Sequence, residues 1–275
     1  MLKACLIQLV NAPRRASVIR IPCKFLALWC VVAASIVRAD EITIAVAANF
    51  ATPMEAICQR FEQDTGHKVH LAVGSSGKFF AQIEHGAPFQ AFFSADQAKP
   101  AQLERNGLTV PNSRFTYARG RLVLWSAAPE AVDATGNALK RGTYHKLAIA
   151  NPKLAPYGAA AVETLKNLGL ESSARKHLVQ GENIAQTFQF VASGNAELGL
   201  VALSQVMRNG EIGSGSAWLV PETLYSPILQ DAVILVPGRN SAALASFWEF
   251  VQSKPAQRII ESYGYASPHS AAQAR

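Results

Sequence analysis

The sequence is short of several features that define common protein classes. It has four cysteines in 275 residues, and three of them, Cys5, Cys23 and Cys30, fall within the first thirty positions. Beyond these only Cys58 remains, which excludes an intramolecular disulfide framework for the rest of the chain. Cys58 falls on the apolar face of an expected helix, where a thiol behaves as a small core residue. Low-complexity tracts and short-period repeats are absent. Acidic residues are missing from positions 1–39, while Lys3, Arg14, Arg15, Arg20, Lys24 and Arg38 place six positive charges there. After residue 39 no second long apolar run occurs, so nothing there reads as a membrane span.

The N-terminal segment carries the pattern of an export signal. Its apolar run, Phe25 to Val37, follows Lys24 and is too short to cross a bilayer. It ends at Val37-Arg38-Ala39, with small residues at the −3 and −1 positions of a cleavage site after Ala39. A signal peptide over 1–39 is therefore expected, leaving 236 residues in the periplasm. Bulky Trp29 before Cys30 argues against a lipid anchor. The gap between Arg14-Arg15 and the apolar run argues against a twin-arginine signal. The leader also accounts for the basic character. The whole chain has 26 Lys+Arg against 19 Asp+Glu; without the six leader charges the balance is 20 against 19. A near-neutral domain gives no electrostatic footprint for nucleic acid.

The 236 residues suffice for two lobes with separate cores, and they read as alternating strands and helices. Strands are expected at Ile42–Ala47, Val69–Val73, Ala91–Ser94, Arg121–Ser126, Leu147–Ala150, Leu198–Ala202 and Ala232–Val236. Between the first two, Thr52 as N-cap, Pro53 at N1 and Glu55 at N3 predict a helix start. Met54, Ile57, Cys58 and Phe61 continue it at helical spacing, and Gly66 closes it. Phe80 and Ile83 mark the apolar face of a second helix. Further helices are expected at Gln97–Asn106, Ala159–Leu168, about 184–193, about 242–252 and 256–263. Such alternation predicts mostly parallel sheets flanked by helices, with ligands at the carboxyl ends of strands.

The strand-end turns share one chemistry. They are Ala48-Asn49, Ser75-Ser76-Gly77, Asn151 to Gly158, and Gly181-Glu182-Asn183-Ile184. These are mainly small or neutral hydrogen-bonding residues at helix starts. A helix N-terminus has free N–H groups and about half a positive charge, so several around one cleft make an anion site without Arg or Lys. Ordinary helix capping uses the same residue types; four turns in corresponding places favour the site.

These turns resemble those of the molybdate-binding proteins of bacterial ABC transporters. The likeness runs from about residue 41 to 266. It is carried by Ile44 to Phe50, Gly74-Ser75-Ser76-Gly77, Gln82 to Pro88, Phe93-Ser94-Ala95-Asp96, Ala150-Asn151-Pro152 through Pro156-Tyr157-Gly158, and Gly199 to Ala202. The resemblance implies a two-lobed periplasmic-binding-protein fold of type II. Lobe 1 would comprise 40–118 and 228–275, lobe 2 would comprise 121–221, and a two-segment hinge would lie near 116–121 and 225–230. It also implies a monomer that binds molybdate or tungstate, hands it to the membrane permease of an ABC transporter, and has no cofactor, no catalytic residue and no free metal ion.

The same resemblance places the ligand on Asn49 and Ser76 from the first lobe and on Tyr157 and Ile184 from the second, with a backbone contact at Ala48. Asn49 and Ser76 are expected to donate by side chain and backbone, Ile184 by its backbone alone, and Tyr157 by backbone, hydroxyl or both. Asn49 stands where many members have Ser, and Ala202 where many have Tyr. The donor set suits a fully ionised tetrahedral dianion, which offers only acceptors. A phosphate site would want a carboxylate, and the nearest is Glu182. Sulfate or another oxyanion is the alternative ligand.

Other readings fit less well. Ser75-Ser76-Gly77-Lys78 contains the Ser-x-x-Lys of penicillin-recognising hydrolases, but no Lys-Thr-Gly or Lys-Ser-Gly follows. As a P-loop, Gly74 to Lys78 is too short between glycines and has Phe79 where Mg²⁺ needs a hydroxyl. The histidines are scattered. Tyr263 and Tyr265, paired as in ferric-binding relatives, lie in the C-terminal tail. Trp125, Trp218 and Trp248 occupy apolar runs and are expected in the core.

Overall fold

The structure is a computed structural model that describes residues 40–267. The expected signal peptide lies outside the described residues. The chain opens with β1 (Glu41–Ala47), whose residues from Ile44 onward are buried on both faces. A single 3-10 turn, Ala48–Phe50, leads into α1 (Ala51–Thr65). Phe50 therefore occupies the N-cap position, and Thr52 lies inside the first turn instead of capping it. The helix starts early because the 3-10 turn already bends the chain. Met54, Ile57, Cys58 and Phe61 face the core as their spacing requires, and Gly66 ends the helix at φ 77°. There follow β2 (Lys68–Gly74), α2 (Ser76–Glu84), β3 (Ala91–Phe93), α3 (Ala98–Arg105) and β4 (Phe115–Gly120). In α2 the fully packed residues are Phe79 and Ile83, with Phe80 only half-buried.

The chain then crosses into a second layer. It comprises β5 (Leu122–Ser126), α4 (Asn137–Arg141), β6 (Leu147–Ala150), α5 (Pro156–Asn167), α6 (Glu171–Ala174), β7 (Leu178–Gly181), α7 (Ile184–Ala192), β8 (Leu198–Ala202) and α8 (Leu203–Val206). A two-stranded ribbon, β9 (Met207–Arg208) and β10 (Glu211–Ile212), precedes β11 (Ser216–Leu219). Returning, β12 (Ile228–Ile234) re-enters the first sheet, and α9 (Ala242–Val251) and α10 (Lys254–Ser262) cover it.

Two five-stranded sheets result, ordered β2-β1-β3-β12-β4 and β11-β5-β8-β6-β7. Pairings among β1, β2 and β3 and among β6, β7 and β8 are parallel, as strand–helix alternation requires. The others are antiparallel, because β12 runs back between β3 and β4, and β5 lies between β8 and β11. The crossing stretch expected as a hinge near 116–121 is thus largely strand β4, hydrogen-bonded to β12 with Gly120 opposite Ile228. Each sheet carries apolar layers on both faces. On the first, Phe50, Phe61, Phe93 and Phe247 pack on one side, and Phe79, Phe92 and Leu103 on the other. Trp125, Trp218 and Trp248 are buried.

Cys58 is 5% exposed, and burial pushes its thiol pKa well above the ordinary value. The thiolate is the reactive form. Protein beginning at Asp40 is therefore expected to leave a thiol-specific chromogenic disulfide unreduced at pH 8 while folded, and to react with one equivalent in denaturant. Rapid reaction of the folded protein would contradict the packing of α1.

Candidate anion-binding site

Four helical starts meet at one small cavity. Its lining is Ala47–Asn49, Gly74–Ser76, Ala95, Ala155–Tyr157 and Asn183–Ile184, and it encloses about 200 Å³ counting its mouth. The 3-10 turn begins at Ala48, α2 at Ser76, α5 at Pro156 and α7 at Ile184. First-turn N–H groups have no acceptor within their own helix. Several neighbouring amides are satisfied elsewhere. Gly77 donates to the Leu154 carbonyl at 2.9 Å, Gly158 to the Ala155 carbonyl at 2.9 Å, and Gln186 to Asn183 Oδ1 at 3.0 Å. The first-turn amides of Asn49, Ser76, Tyr157 and Ile184 have no such partner among the described residues. The sequence marks α5 three residues late; its true start at Pro156 puts Tyr157 in the first turn, where its N–H has no acceptor within the helix.

No Asp, Glu, Lys or Arg lines this cavity. Its polarity comes from amides, hydroxyls and helix ends, each end equivalent to about half a positive charge. Ser76 shows how one side chain is aimed. Its Oγ accepts the Ala95 N–H at 2.9 Å, so its own proton is free to donate outward. Ala48 and Ile184 are buried in the wall and offer main-chain groups. All five residues expected from the sequence thus meet in one place. Ala202 is buried outside the lining, with its amide donating to Gln205 Oε1 at 3.0 Å.

One expectation about how these residues donate changes, at Asn49, and the alternatives left open at Tyr157 narrow. The Asn49 side chain points inward. Its Nδ2 donates to Gln230 Oε1 at 2.8 Å and to the Tyr265 hydroxyl at 2.9 Å, which uses both amide hydrogens. Only the main chain of Asn49 remains to donate. The Tyr157 hydroxyl accepts from Gln230 Nε2 at 3.2 Å, so it too belongs to an internal network, and the Tyr157 contribution to the cavity is its backbone N–H. Burial raises the pKa of Tyr157, Tyr117 and Tyr265, keeping all three phenols neutral.

That network was not anticipated from the sequence. Tyr117 donates to Gln230 Oε1 at 2.9 Å, and Ser204 Oγ and the Tyr265 hydroxyl both donate to the Asn49 carbonyl at 2.8 Å. The pairing of β12 with β4 shifts register here, Gln230 opposing Ala118 and Asp231 opposing Thr116, which leaves Tyr117 as the extra residue on β4 beside Gln230. The available signal was a polar pair, Gln230-Asp231, inside an otherwise apolar strand. Tyr265, paired in sequence with Tyr263 like a ferric-ligand pair, instead lies buried against Phe50.

Lys78 Nζ sits 3.0 Å from Glu182 Oε1, joining α2 to the turn before α7. This pairing takes Lys78 away from the role of base for Ser75. It also takes Glu182, half-exposed, out of the cavity lining. The two sheets approach closely here: a Cβ on Gly77 would lie 2.9 Å from Leu154 Cα, so only glycine fits. A larger adjoining groove includes Asp96, Lys99 and Glu163 in its lining. Asp96 there is paired with Lys99, and Glu163 accepts from Ser226. Its carboxylates make it unsuited to an anion.

The chain matches the family model for bacterial extracellular solute-binding proteins over residues 42–266. It is 52% identical over 228 residues to the molybdate-binding protein ModA of Azotobacter vinelandii, covering 83% of this chain and 90% of that protein. The corresponding protein of Rhodobacter capsulatus is 48% identical over 229 residues, covering 83% and 89%. Among solved structures, the Azotobacter vinelandii periplasmic molybdate-binding protein aligns with a TM-score of 0.79 at 39% identity, covering 83% of this chain and all of that one.

Two substitutions separate the cavity from the network behind it. Tyr157→Phe deletes a hydroxyl that faces Gln230. It is expected to cost about 0.5–1.5 kcal/mol of stability in denaturant titrations while changing oxyanion affinity by less than about threefold. A loss of about tenfold or more would return the hydroxyl to the cavity. Gly120→Ala would place its Cβ against the Tyr157 hydroxyl and 2.5 Å from Gln230 Nε2. Overpacking of this kind costs about 1–3 kcal/mol, read as a lower melting temperature; an unchanged one would contradict the packing at the crossing.

Proposed function

The chain belongs to the bacterial extracellular solute-binding proteins, in the branch of the molybdate-binding proteins, and on that premise we propose that it captures molybdate, and tungstate equally, between its two lobes. The observation that carries this is the convergence of four helix starts on a donor-lined cavity with no ionised side chain. A fully ionised tetrahedral oxyanion presents acceptors in every direction, and this cavity answers with N–H and O–H groups. The ligand set is the main-chain N–H groups of Asn49, Ser76, Tyr157 and Ile184 with the Ser76 hydroxyl, and a weaker contact at Ala48. Tungstate shares the charge and shape of molybdate, so the same donors serve both. Sulfate has the same charge in a smaller body and is the competitor to test.

The ligand is delivered to the membrane permease of an ABC transporter by a protein acting as a monomer outside the cytoplasm, after cleavage near Ala39. Support for export is the basic flank, apolar run and small-residue exit of the leader. No helix among the described residues is long and apolar enough to cross a membrane. The hinge is the pair of crossings that link the sheets, from β4 to β5 at Gly120–Leu122 and from Tyr225 into β12. A short segment between strands in each crossing lets one sheet rotate against the other. The contacts Gly77 to Leu154 and Lys78 to Glu182 then close the mouth.

Isothermal titration with molybdate, tungstate, sulfate and phosphate tests the assignment. Tight binding of molybdate and tungstate with weak sulfate and phosphate is expected; tight sulfate without a molybdate response would overturn it. Ser76→Ala is expected to weaken molybdate binding about tenfold or more, since a hydrogen bond to a charged partner contributes about 1.5–3 kcal/mol. An unchanged affinity would remove Ser76. Because no cavity group titrates near neutrality and burial moves the Tyr157 pKa upward, affinity is expected to stay flat from about pH 6 to 9. A steep change in that window would point to an ionising ligand group.

A further inference from the structure

Ser75 stands immediately before α2 and is its N-cap, with φ −77° and ψ 146°. Serine is among the residues that usually cap by accepting a first-turn N–H, yet the Ser75 side chain makes no capping bond. It is 3% exposed. Its Oγ is cut off from solvent and has no hydrogen-bond partner among the described residues. Buried hydroxyls left unpaired are rare and costly, and each one calls for an explanation. The place of this one supplies it: Ser75 lines the same cavity as Ser76, Asn49 and Ile184.

We propose that Ser75 is a further ligand-binding residue, its hydroxyl donating to an oxyanion oxygen beside the one met by Ser76. This rests on the reading of the cavity as the oxyanion site. The two serines then divide the work. Ser76 is held in orientation by the Ala95 amide. Ser75 is held by nothing in the protein and takes its partner from the ligand. A hydroxyl that forgoes capping destabilises the protein alone and contributes to the complex, so its deletion should separate stability from binding. A capping serine behaves in the opposite way, losing stability and leaving affinity alone.

The test is titration calorimetry with molybdate on Ser75→Ala, Ser75→Cys and Ser76→Ala, with melting temperatures measured with and without molybdate. Ser75→Ala is expected to bind molybdate about tenfold more weakly. Its melting temperature without molybdate should be unchanged or higher, and the rise on adding molybdate smaller. Ser75→Cys keeps the volume with a poor donor and is expected to show a similar loss. If Ser75→Ala and Ser75→Cys keep the parent affinity while Ser76→Ala loses it, the inference fails and the cavity assignment stands. If the parent protein itself does not bind molybdate, both fail. A lower melting temperature without molybdate at unchanged affinity would make Ser75 a cap and overturn the inference.

Discussion

An anion taken out of water must have its oxygens met by donors, and a buried charge without such partners is costly. A folded chain can answer with cations or with the ends of helices. The site proposed here uses the second solution. The first-turn amides of α2, α5, α7 and the turn after β1 stay unpaired only because a helix start leaves them so, and they line one cavity. Each helix end contributes about 0.3–2 kcal/mol toward a nearby negative charge, so four acting together would hold an anion without lysine or arginine. The absence of a lining carboxylate matters equally, since one acceptor facing the anion would set charge against charge.

The donors come from both sheets, so the site exists only when the sheets are correctly placed. The buried network behind the cavity fixes that placement. Asn49, Tyr117, Gln230 and Tyr265 from the first sheet and its covering segments meet Tyr157 and Ser204 from the second. Asn49 belongs to both layers. Its side chain and carbonyl are held within the network, while its main-chain N–H has no partner among the described residues and the residue lines the cavity. A buried network with every member satisfied specifies one arrangement. Glycines at 77 and 120 permit the close approaches on which it depends.

Much of this was legible in the sequence. Apolar runs such as Ile42–Ala47 and Leu198–Ala202 declare buried strands, and Gly66 marks a helix end. The four donor-rich turns are read by residue type, the choice of Asn49, Ser76, Tyr157 and Ile184 within them comes from the family resemblance, and the structure brings them to one cavity. What escaped reading depended on long-range contacts. Strands β4 and β11 carry no distinct local pattern, and their pairing with β12 and β5 comes from distant residues. Side-chain direction at Asn49 and Tyr157 is set by Gln230 and Tyr265, some 180 and 216 positions from Asn49. The start of α1 moved because a 3-10 turn pre-empted Thr52.

The most direct measurement of whether amides hold the anion is made on those amides. In ¹⁵N-labelled protein titrated with molybdate, the backbone N–H resonances of Asn49, Ser76, Tyr157 and Ile184 should shift downfield together and exchange more slowly with solvent. The Asn49 side-chain amide should move little, since both its protons are already donated. If those four resonances stay in place while lysine or arginine side-chain signals respond, the anion is held by cations at another surface and the helix-start site is wrong.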